Sequence, residues 1–275
     1  MTVRSTILAA LLLAGPLAPA ASQAQAPAPA PTQAQAPAPS LLTAEERADA
    51  KIVRGIMISP PRTPQQLQTL REVLDRAPAS YPLVEPRNGH IIVRGVGAEE
   101  IAALSLVAGL QAAGADKAEK KTVYVDAAFN VYPTAALMLG SDAVTRRRPE
   151  EAIAWLDKGL ALQPDNLYLV TEKGAALAML NRPADALALY DATLALGDRT
   201  FDPKSKARLR RARGWALIEL GRLDEAEADY KQSLVLEPDH GGALRELKYI
   251  ADKRAGVAKS EPVQIYTSDQ AKAVK

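Results

Sequence analysis

The side chains best suited to chemistry gather in one short stretch of the chain. Residues 204–215 carry cationic side chains and a tryptophan, in the order Lys204, Lys206, Arg208, Arg210, Arg211, Arg213 and Trp215. Guanidinium groups bind carboxylates in a two-pronged geometry, and an indole offers a face for stacking. This stretch therefore suggests noncovalent binding of an acidic or aromatic ligand. Helical spacing spreads the cations around most of the cylinder, so part of the run is expected to be only solvated.

The groups that catalysis or metal binding would need are sparse. The chain has no cysteine and only 2 histidines, His90 and His240, which lie in separate segments without a third ligand at metal spacing. The Gly-Val-Gly of residues 95–97 precedes a helical pattern, as a phosphate loop would, but Glu99 and Glu100 would repel phosphate, which favours a simple turn. No nucleophile-elbow motif is present. We therefore expect no enzyme activity, no cofactor and no bound metal.

The composition narrows the class of protein further. The 275 residues include 34 Lys and Arg against 32 Asp and Glu, a formal charge of +2. This near balance argues against a partner such as nucleic acid, although a local basic patch could still matter. Apolar residues make up 48% and aromatic residues only 4%, so alanine and leucine dominate and helix is favoured.

The amino terminus has the three parts of a secretory signal. Arg4 supplies a positive charge, residues 7–14 form an apolar run, and small residues offer cleavage after Ala24 or Ala26. The run is shorter than the roughly 20 residues that a transmembrane helix needs. Residues 1–26 are therefore predicted to be a signal peptide, with an uncleaved anchor as the alternative. The mature protein is expected in the periplasm or secreted, without an integral membrane span, and the lack of cysteine excludes a lipoprotein.

Two segments have no sustained apolar pattern. Residues 27–40 are rich in alanine, proline and glutamine, which excludes helix and predicts a disordered, extended linker. A recognition segment for a proline-binding groove is the alternative. Residues 255–275 are predicted to be a disordered tail.

One pattern recurs three times in the second half of the chain. Similar segments begin at Ala152, Ala186 and Ala226, which are 34 and 40 residues apart. A glycine lies twelve residues before each alanine, at Gly140, Gly174 and Gly214. Proline closes the first and third copies, at Pro164 and Pro238, and Asp198 replaces it in the middle copy. Such a period predicts a solenoid of stacked helical units.

This pattern resembles the tetratricopeptide repeat (TPR) over about residues 133–240, with repeats at 133–166, 167–200 and 207–240. Each repeat of that family is a hairpin of helices A and B. The small eighth residue of helix A lies against a bulky twenty-fourth residue on helix B, a place held here by Leu156, Tyr190 and Tyr230. Residues 241–254 are expected to form a helix that caps the open end. The predicted fold is mainly α: a solenoid of three TPR-like hairpins and a capping helix, preceded by a region of helices with up to two short strands.

Two departures from the family pattern fall in the third repeat. Arg210 and Arg213 occupy helix A places that are usually apolar, and residues 201–206 are inserted before the repeat. Together they predict a lengthened turn and a helix that is less completely packed than its neighbours.

Residues 41–132 match no family pattern. Capping residues at Thr43 and Thr63 predict two helices. Further on, the β-branched runs at residues 91–93 and 122–125 flank an alanine-rich helix former at 98–113. This order fits either a strand–helix–strand unit or an all-helical extension of the solenoid, since short apolar runs do not distinguish the two.

The resemblance also implies where a partner would bind. In the family, the second, fifth and ninth residues of helix A face a concave groove. The predicted groove residues in the second and third repeats are Tyr168, Thr171, Arg208, Arg211 and Trp215. Alternatively, Trp215 packs under the capping helix and the arginines pair with Glu219 or other nearby acids. The lysine and asparagine with which some members bind a terminal carboxylate are missing here.

These patterns lead to one principal functional expectation. The chain is predicted to be an exported, non-catalytic scaffold that binds a protein or peptide in its concave groove. A binding module for an anionic cell-envelope polymer is the first alternative, through the arginine-rich helix of the third repeat. An enzyme with its chemistry in residues 41–132 is the second.

Overall fold

The computed structural model describes residues 41–58, 61–114, 124–197 and 203–257. The predicted signal peptide and linker, and the tail from residue 258 onward, lie outside these ranges. Across the described ranges the chain forms ten helices and three strands, in the order α1 (Ala44–Met57), α2 (Pro64–Asp75), β1 (Val84–Arg87), β2 (His90–Gly95), α3 (Ala98–Gly114), β3 (Tyr124–Phe129), α4 (Val131–Thr145), α5 (Pro149–Leu162), α6 (Leu167–Met179), α7 (Pro183–Gly197), α8 (Pro203–Glu219), α9 (Leu223–Leu236) and α10 (Gly241–Arg254).

The helices from α4 onward form the predicted hairpin solenoid. Helices α4, α6 and α8 are the A helices of the three repeats, and α5, α7 and α9 are their B helices. The small-against-large contact is confirmed: a Cβ added at Gly140 would lie 2.5 Å from Leu156 Cγ, and one at Gly214 would lie 2.8 Å from Tyr230 Cε2. A Cβ at Gly174 would collide with the Tyr190 hydroxyl. The mainly α fold class is therefore confirmed.

The turn from helix A to helix B repeats in detail. The fifteenth residue of each repeat adopts the left-handed conformation, with φ of 56° at Arg147, 53° at Asn181 and 74° at Gly221. An arginine follows and pairs with an acid three residues further on, as Arg148–Glu151 at 3.4 Å, Arg182–Asp185 at 2.6 Å and Arg222–Glu225 at 2.7 Å. Each pair lies at the start of a B helix, where an acidic side chain favours the helix dipole.

The third repeat corrects one expectation from the sequence. Arg210 and Arg213 both bind the buried carboxylate of Asp229 on α9, at 3.2 and 2.8 Å, and Arg213 also binds Asp191 on α7 at 2.5 Å. The acid on helix B thus compensates the arginines at usually apolar places of helix A, and the looser packing of this helix stays a prediction. Helix α8 begins at Pro203, so four of the six inserted residues lengthen the helix and not the turn.

Residues 84–129 contain a small mixed sheet in the order β1–β2–β3. Strands β1 and β2 form an antiparallel hairpin through Asn88 and Gly89, whose φ values of 52° and 81° suit a two-residue turn. Strand β3 runs parallel to β2, with α3 as the connection between them. A strand–helix–strand unit is thus present, with one strand more than expected, because β1 is short and contains Pro86.

Helices α1 and α2 precede the sheet and pack against α4. One hydrophobic cluster joins this region to the first repeat and includes Val53, Leu70, Tyr132, Leu139 and Leu156. The alternative of an all-helical extension is wrong for the sheet. However, α1 and α2 do cover the side of α4 that a preceding hairpin would cover.

A buried polar network holds the sheet to these helices. The Arg94 side chain on β2 is 0% exposed, with Nε 3.3 Å from Glu46 on α1 and Nη2 2.8 Å from Glu85 on β1. Its guanidinium lies 4.0 Å from the centre of the Tyr81 ring, and the Tyr81 hydroxyl donates to Glu46 at 2.9 Å. Because every charge in this network has a partner, its burial is compensated.

Candidate binding groove

The residues at the second position of two adjacent A helices, Tyr168 and Arg208, lie close together. Tyr168 on α6 is 52% exposed, and the guanidinium of Arg208 on α8 lies 5.9 Å from the centre of its ring. Stacked repeats bring equivalent places into line, which explains why residues forty positions apart meet. The pair forms an exposed surface that combines a cation with an aromatic face.

The residues at the fifth position, Thr171 and Arg211, already make hydrogen bonds within the protein. The Thr171 hydroxyl donates to the Leu167 carbonyl at 2.8 Å within its own helix. Arg211 donates from Nη1 to Glu237 at 2.6 Å, and this hydrogen bond lowers the pKa of the Glu237 carboxyl. The acid that pairs with Arg211 is therefore Glu237 at the end of α9, and not Glu219.

Trp215, at the ninth place of the third repeat, is half-buried. It packs against the second hydrophobic cluster, together with Leu247 and Tyr249 of α10. Trp215 thus packs against a core that also includes residues of α10, and its side chain stays partly accessible. That these five residues bind a partner stays a prediction.

Helix α10 begins in a way that the sequence reasoning did not use. His240 caps it by accepting from the Ala243 amide at 3.1 Å, just as Asn166 caps α6, so α10 begins in the same way as an A helix. Its fifth and ninth places hold Arg245 and Tyr249. The signal was available, because Pro-Asp precedes both Asn166 and His240 at the same distance from the helix start.

The electrostatics of this end of the groove are dominated by cations. Within the described part of the chain, the structure gives Arg208 and Arg245 no ion pair, whereas Arg211 is matched by Glu237. Burial lowers the pKa of His240, and the neighbouring Arg211 lowers it further. Arg208 and Arg245 can therefore bind the carboxylates of a ligand without breaking an internal ion pair.

The first repeat does not extend this surface. Thr134 at its second place is buried, and its hydroxyl donates to the Asn130 carbonyl. Leu137 and Ser141 are half-buried. The more accessible of the predicted groove residues therefore lie on α6 and α8.

Two other kinds of site are absent from the described residues. Those residues contain no group of three or more His, Cys, Asp or Glu side chains that could hold a metal ion. Among the same residues, every helix is too short or too polar to cross a bilayer.

Comparison with known proteins agrees with this geometry. Residues 166–235 match the family model for the tetratricopeptide repeat. The chain is 34% identical to RNA polymerase II-associated protein 3 of Homo sapiens over 113 residues, which are 41% of this chain and 16% of that protein. It is 35% identical to the Hsp70-Hsp90 organizing protein of Triticum aestivum over 103 residues, or 38% of this chain and 17% of that protein. Residues 166–235 are therefore similar to the tetratricopeptide repeat, and the chain spans only about a sixth of the length of these relatives.

Two solved structures that match part of this chain are TPR domains. The first TPR of Spaghetti, solved with an HSP90 peptide, is 28% identical and has a TM-score of 0.40, and the alignment covers 45% of this chain and 93% of that one. The first TPR domain of the human RPAP3 protein is 30% identical with a TM-score of 0.40, over 47% of this chain and 99% of that one.

Proposed function

We propose that this protein is an exported, non-catalytic TPR scaffold that binds an acidic segment of a protein or peptide between α6, α8 and α10. The observation that carries the proposal is the exposed Tyr168 ring beneath the Arg208 guanidinium, beside Arg211. A segment with carboxylates and an aromatic or apolar side chain would pair with the guanidinium groups and stack on the ring. Similarity to a family of binding scaffolds supports this reading.

Two further parts of the proposal have separate support. Export rests on the charge, apolar run and cleavage sites of residues 1–26. The absence of chemistry rests on a chain with no cysteine and 2 histidines. His240 serves as a helix cap, and His90 pairs with Asp126 at 2.7 Å on the sheet.

The test is a crosslinked capture of partners from cell-envelope fractions. It compares the wild type with Arg208→Glu, which reverses an exposed charge without touching the core. The matched control is Lys51→Glu, the same charge reversal at an exposed site on α1. A partner held by the wild type and the control but lost from Arg208→Glu supports the groove. A partner held equally by all three proteins contradicts it.

A second candidate is an anionic envelope polymer, which the unpaired Arg208 and Arg245 favour over a neutral ligand. Binding that depends on charge alone falls steeply with added salt and tolerates loss of an aromatic ring. The variant Tyr168→Ala distinguishes a peptide ligand from a polymer ligand. Peptide binding should weaken by about 1 kcal/mol when the stacking face is removed, whereas polymer binding should be nearly unchanged.

A further inference from the structure

Helix α10 ends at a turn that fixes where the rest of the chain begins. Gly256, with a φ of 69°, terminates the helix, and the Val257 amide donates to the Asp252 carbonyl at 3.0 Å. Arg254 holds the same end of the helix by ion pairs with two acidic residues of α9. Residues 258–275 lie outside the described ranges, and they therefore continue from a fixed point beside the last turn of α10.

The sequence that follows has the composition that the proposed groove requires. Residues 260–270, the tail segment, carry the carboxylates of Glu261 and Asp269 and contain no lysine or arginine. Tyr266 lies between these two acids. Pro262 and the β-branched residues that follow it favour an extended backbone. An acidic, extended segment with an aromatic side chain is thus part of this chain itself.

The groove offers a matching group for each kind of side chain in the tail segment. Arg208 and Arg245 are exposed and have no ion pair within the described ranges, so either can bind a carboxylate without losing a partner. The Tyr168 ring is 52% exposed and lies 5.9 Å from the Arg208 guanidinium. A second aromatic ring can stack beside it on the same cation.

We propose that the tail segment binds the groove of its own chain and competes there with the partner. The Glu261 carboxylate pairs with Arg245, and the Tyr266 ring stacks on the exposed pair of Tyr168 and Arg208. This inference rests on the proposed function, since it names a competing ligand for the same groove. The partner must then displace the tail segment in order to bind.

The lengths of chain allow this arrangement. Arg245 lies seven residues before Asp252, about 10 Å along the helix axis. The four residues from Val257 to Glu261 span about 13 Å when extended, which covers that distance. The next five residues span about 17 Å and end at Tyr266. Packed helices lie about 8–10 Å apart, so this length extends from α10 across α8 to the side that faces α6.

The covalent connection favours binding within one chain over binding between two. A short tether gives an effective ligand concentration in about the millimolar range. A contact with a dissociation constant of about 0.1 mM would then occupy the groove about nine-tenths of the time, and it would weaken the apparent affinity for a partner about tenfold. Weak contacts of the tail segment are therefore sufficient for this competition.

The first test introduces pairs of cysteines into the full chain, which has none of its own. Thr171→Cys/Thr267→Cys joins the groove to the residue after Tyr266. The matched control is Thr171→Cys/Val274→Cys, with the second cysteine seven residues further along the chain. We expect the first pair to form an intramolecular disulfide at least tenfold faster than the control. Equal rates overturn the proposal, and a disulfide that forms only between two chains, recognised by its mass, overturns binding within one chain.

The second test adds a fluorescent synthetic peptide of residues 259–270 to the full chain and follows its binding by fluorescence anisotropy. The variant Glu261→Gln/Tyr266→Ala should bind the peptide about tenfold more tightly than the wild type, because its own tail segment no longer competes. The matched control Lys272→Gln/Val274→Ala should bind the peptide as the wild type does. Equal binding by the wild type and the Glu261→Gln/Tyr266→Ala variant overturns the proposal.

The outcomes also separate this inference from the proposed function. Tighter binding by the tail variant that is lost again when Arg208→Glu is added supports both. Equal binding by the wild type and the tail variant that Arg208→Glu abolishes overturns the competition and leaves the groove supported. A peptide that binds neither protein overturns the inference, and the capture of partners from cell-envelope fractions then decides about the groove independently.

Discussion

The repeat array and the N-terminal region hold their helices together by different physical means. In the array, a glycine on helix A accepts a large side chain from helix B, as in Gly140 against Leu156, and this contact recurs in every repeat. In the N-terminal region, the sheet and α1 are joined by the fully buried Arg94 between Glu46 and Glu85. The first solution is apolar, local and repeated, and the second is charged and long-range.

This difference predicts how a destabilising substitution should affect each region. The stability of a solenoid is approximately the sum of the stabilities of its repeats and of the contacts between neighbours. A destabilising change in one repeat should therefore lower the total only in part. A buried charge network fails as a whole, since removing one member leaves the others buried without a partner. Five changes test that contrast, beginning with the largest effect.

Arg94→Met should be the most destabilising. It leaves Glu46 buried at 5% exposure without its cation, and we expect the free energy of unfolding to fall by about 3–5 kcal/mol. Urea denaturation measures the loss. The double variant Glu46→Gln/Arg94→Met should recover a large part of it, because no charge is then stranded. A cost below about 1 kcal/mol would mean that the network is solvated and the contrast between the regions is false.

Gly174→Ala tests the array in the same assay. The new methyl group collides with the Tyr190 hydroxyl, and overpacking of this kind costs about 1–3 kcal/mol. Tyr190→Phe removes the nearest colliding atom and should relieve part of the cost in the double variant. The control is Gly109→Ala on α3, where a Cβ meets no atom within 4 Å and the helix should gain about 0.5–1 kcal/mol. Equal effects at the two glycines would contradict the small-against-large contact.

The two regions should also differ in the sign of their pH dependence. Burial raises the pKa of Glu172 in the array, and Ser141 opposes this weakly by donating a hydrogen bond. A raised folded-state pKa means that the associated stability is complete below the unfolded pKa and is lost as the pH rises through the folded pKa. Glu172→Gln should therefore stabilise the protein by about 1 kcal/mol at pH 8 and have little effect at pH 4.

Glu85 in the N-terminal region should behave in the opposite way. Burial would raise the pKa of Glu85, but the hydrogen bonds from Arg87 and Arg94 lower it below the ordinary value. Its stabilising contribution is present above the unfolded pKa and is lost as the pH falls. Thermal unfolding between pH 4 and pH 8 compares Glu85→Gln with Glu172→Gln. If the pH dependence of the unfolding temperature changes in the same direction in both variants, the two carboxyls have similar surroundings and the contrast is contradicted.

Arg147→Gly should have the smallest effect and the opposite sign to the first two changes. Arg147 adopts a left-handed backbone at the place where the third repeat has Gly221, and glycine removes the steric cost of that conformation. We expect a gain of about 0.5 kcal/mol in the free energy of unfolding. The neighbouring Arg148→Gly, where φ is −117°, should destabilise. A loss at both residues would show that the repeated turn is not under backbone strain.

The prediction from sequence was accurate where the contacts are periodic. Gly140, Gly174 and Gly214 with their bulky partners were readable, because one packing rule leaves the same residue types at the same spacing. The groove was only partly readable. Tyr168 and Arg208 meet as their places imply, but the pairing of Arg211 with Glu237, and the contribution of α10, depend on contacts between elements.

The sequence by itself determined the repeated hairpins, their turns and caps, and the scarcity of groups for covalent or metal chemistry. These follow from local spacing, backbone conformation and composition. Only the tertiary structure decided that Arg210 and Arg213 bind Asp229, that Arg94 is buried between two glutamates, and that one face of α3 stays exposed. The physical reason is that the partners of a charge, and the cover of an apolar face, are set by elements distant in the chain and leave no local pattern.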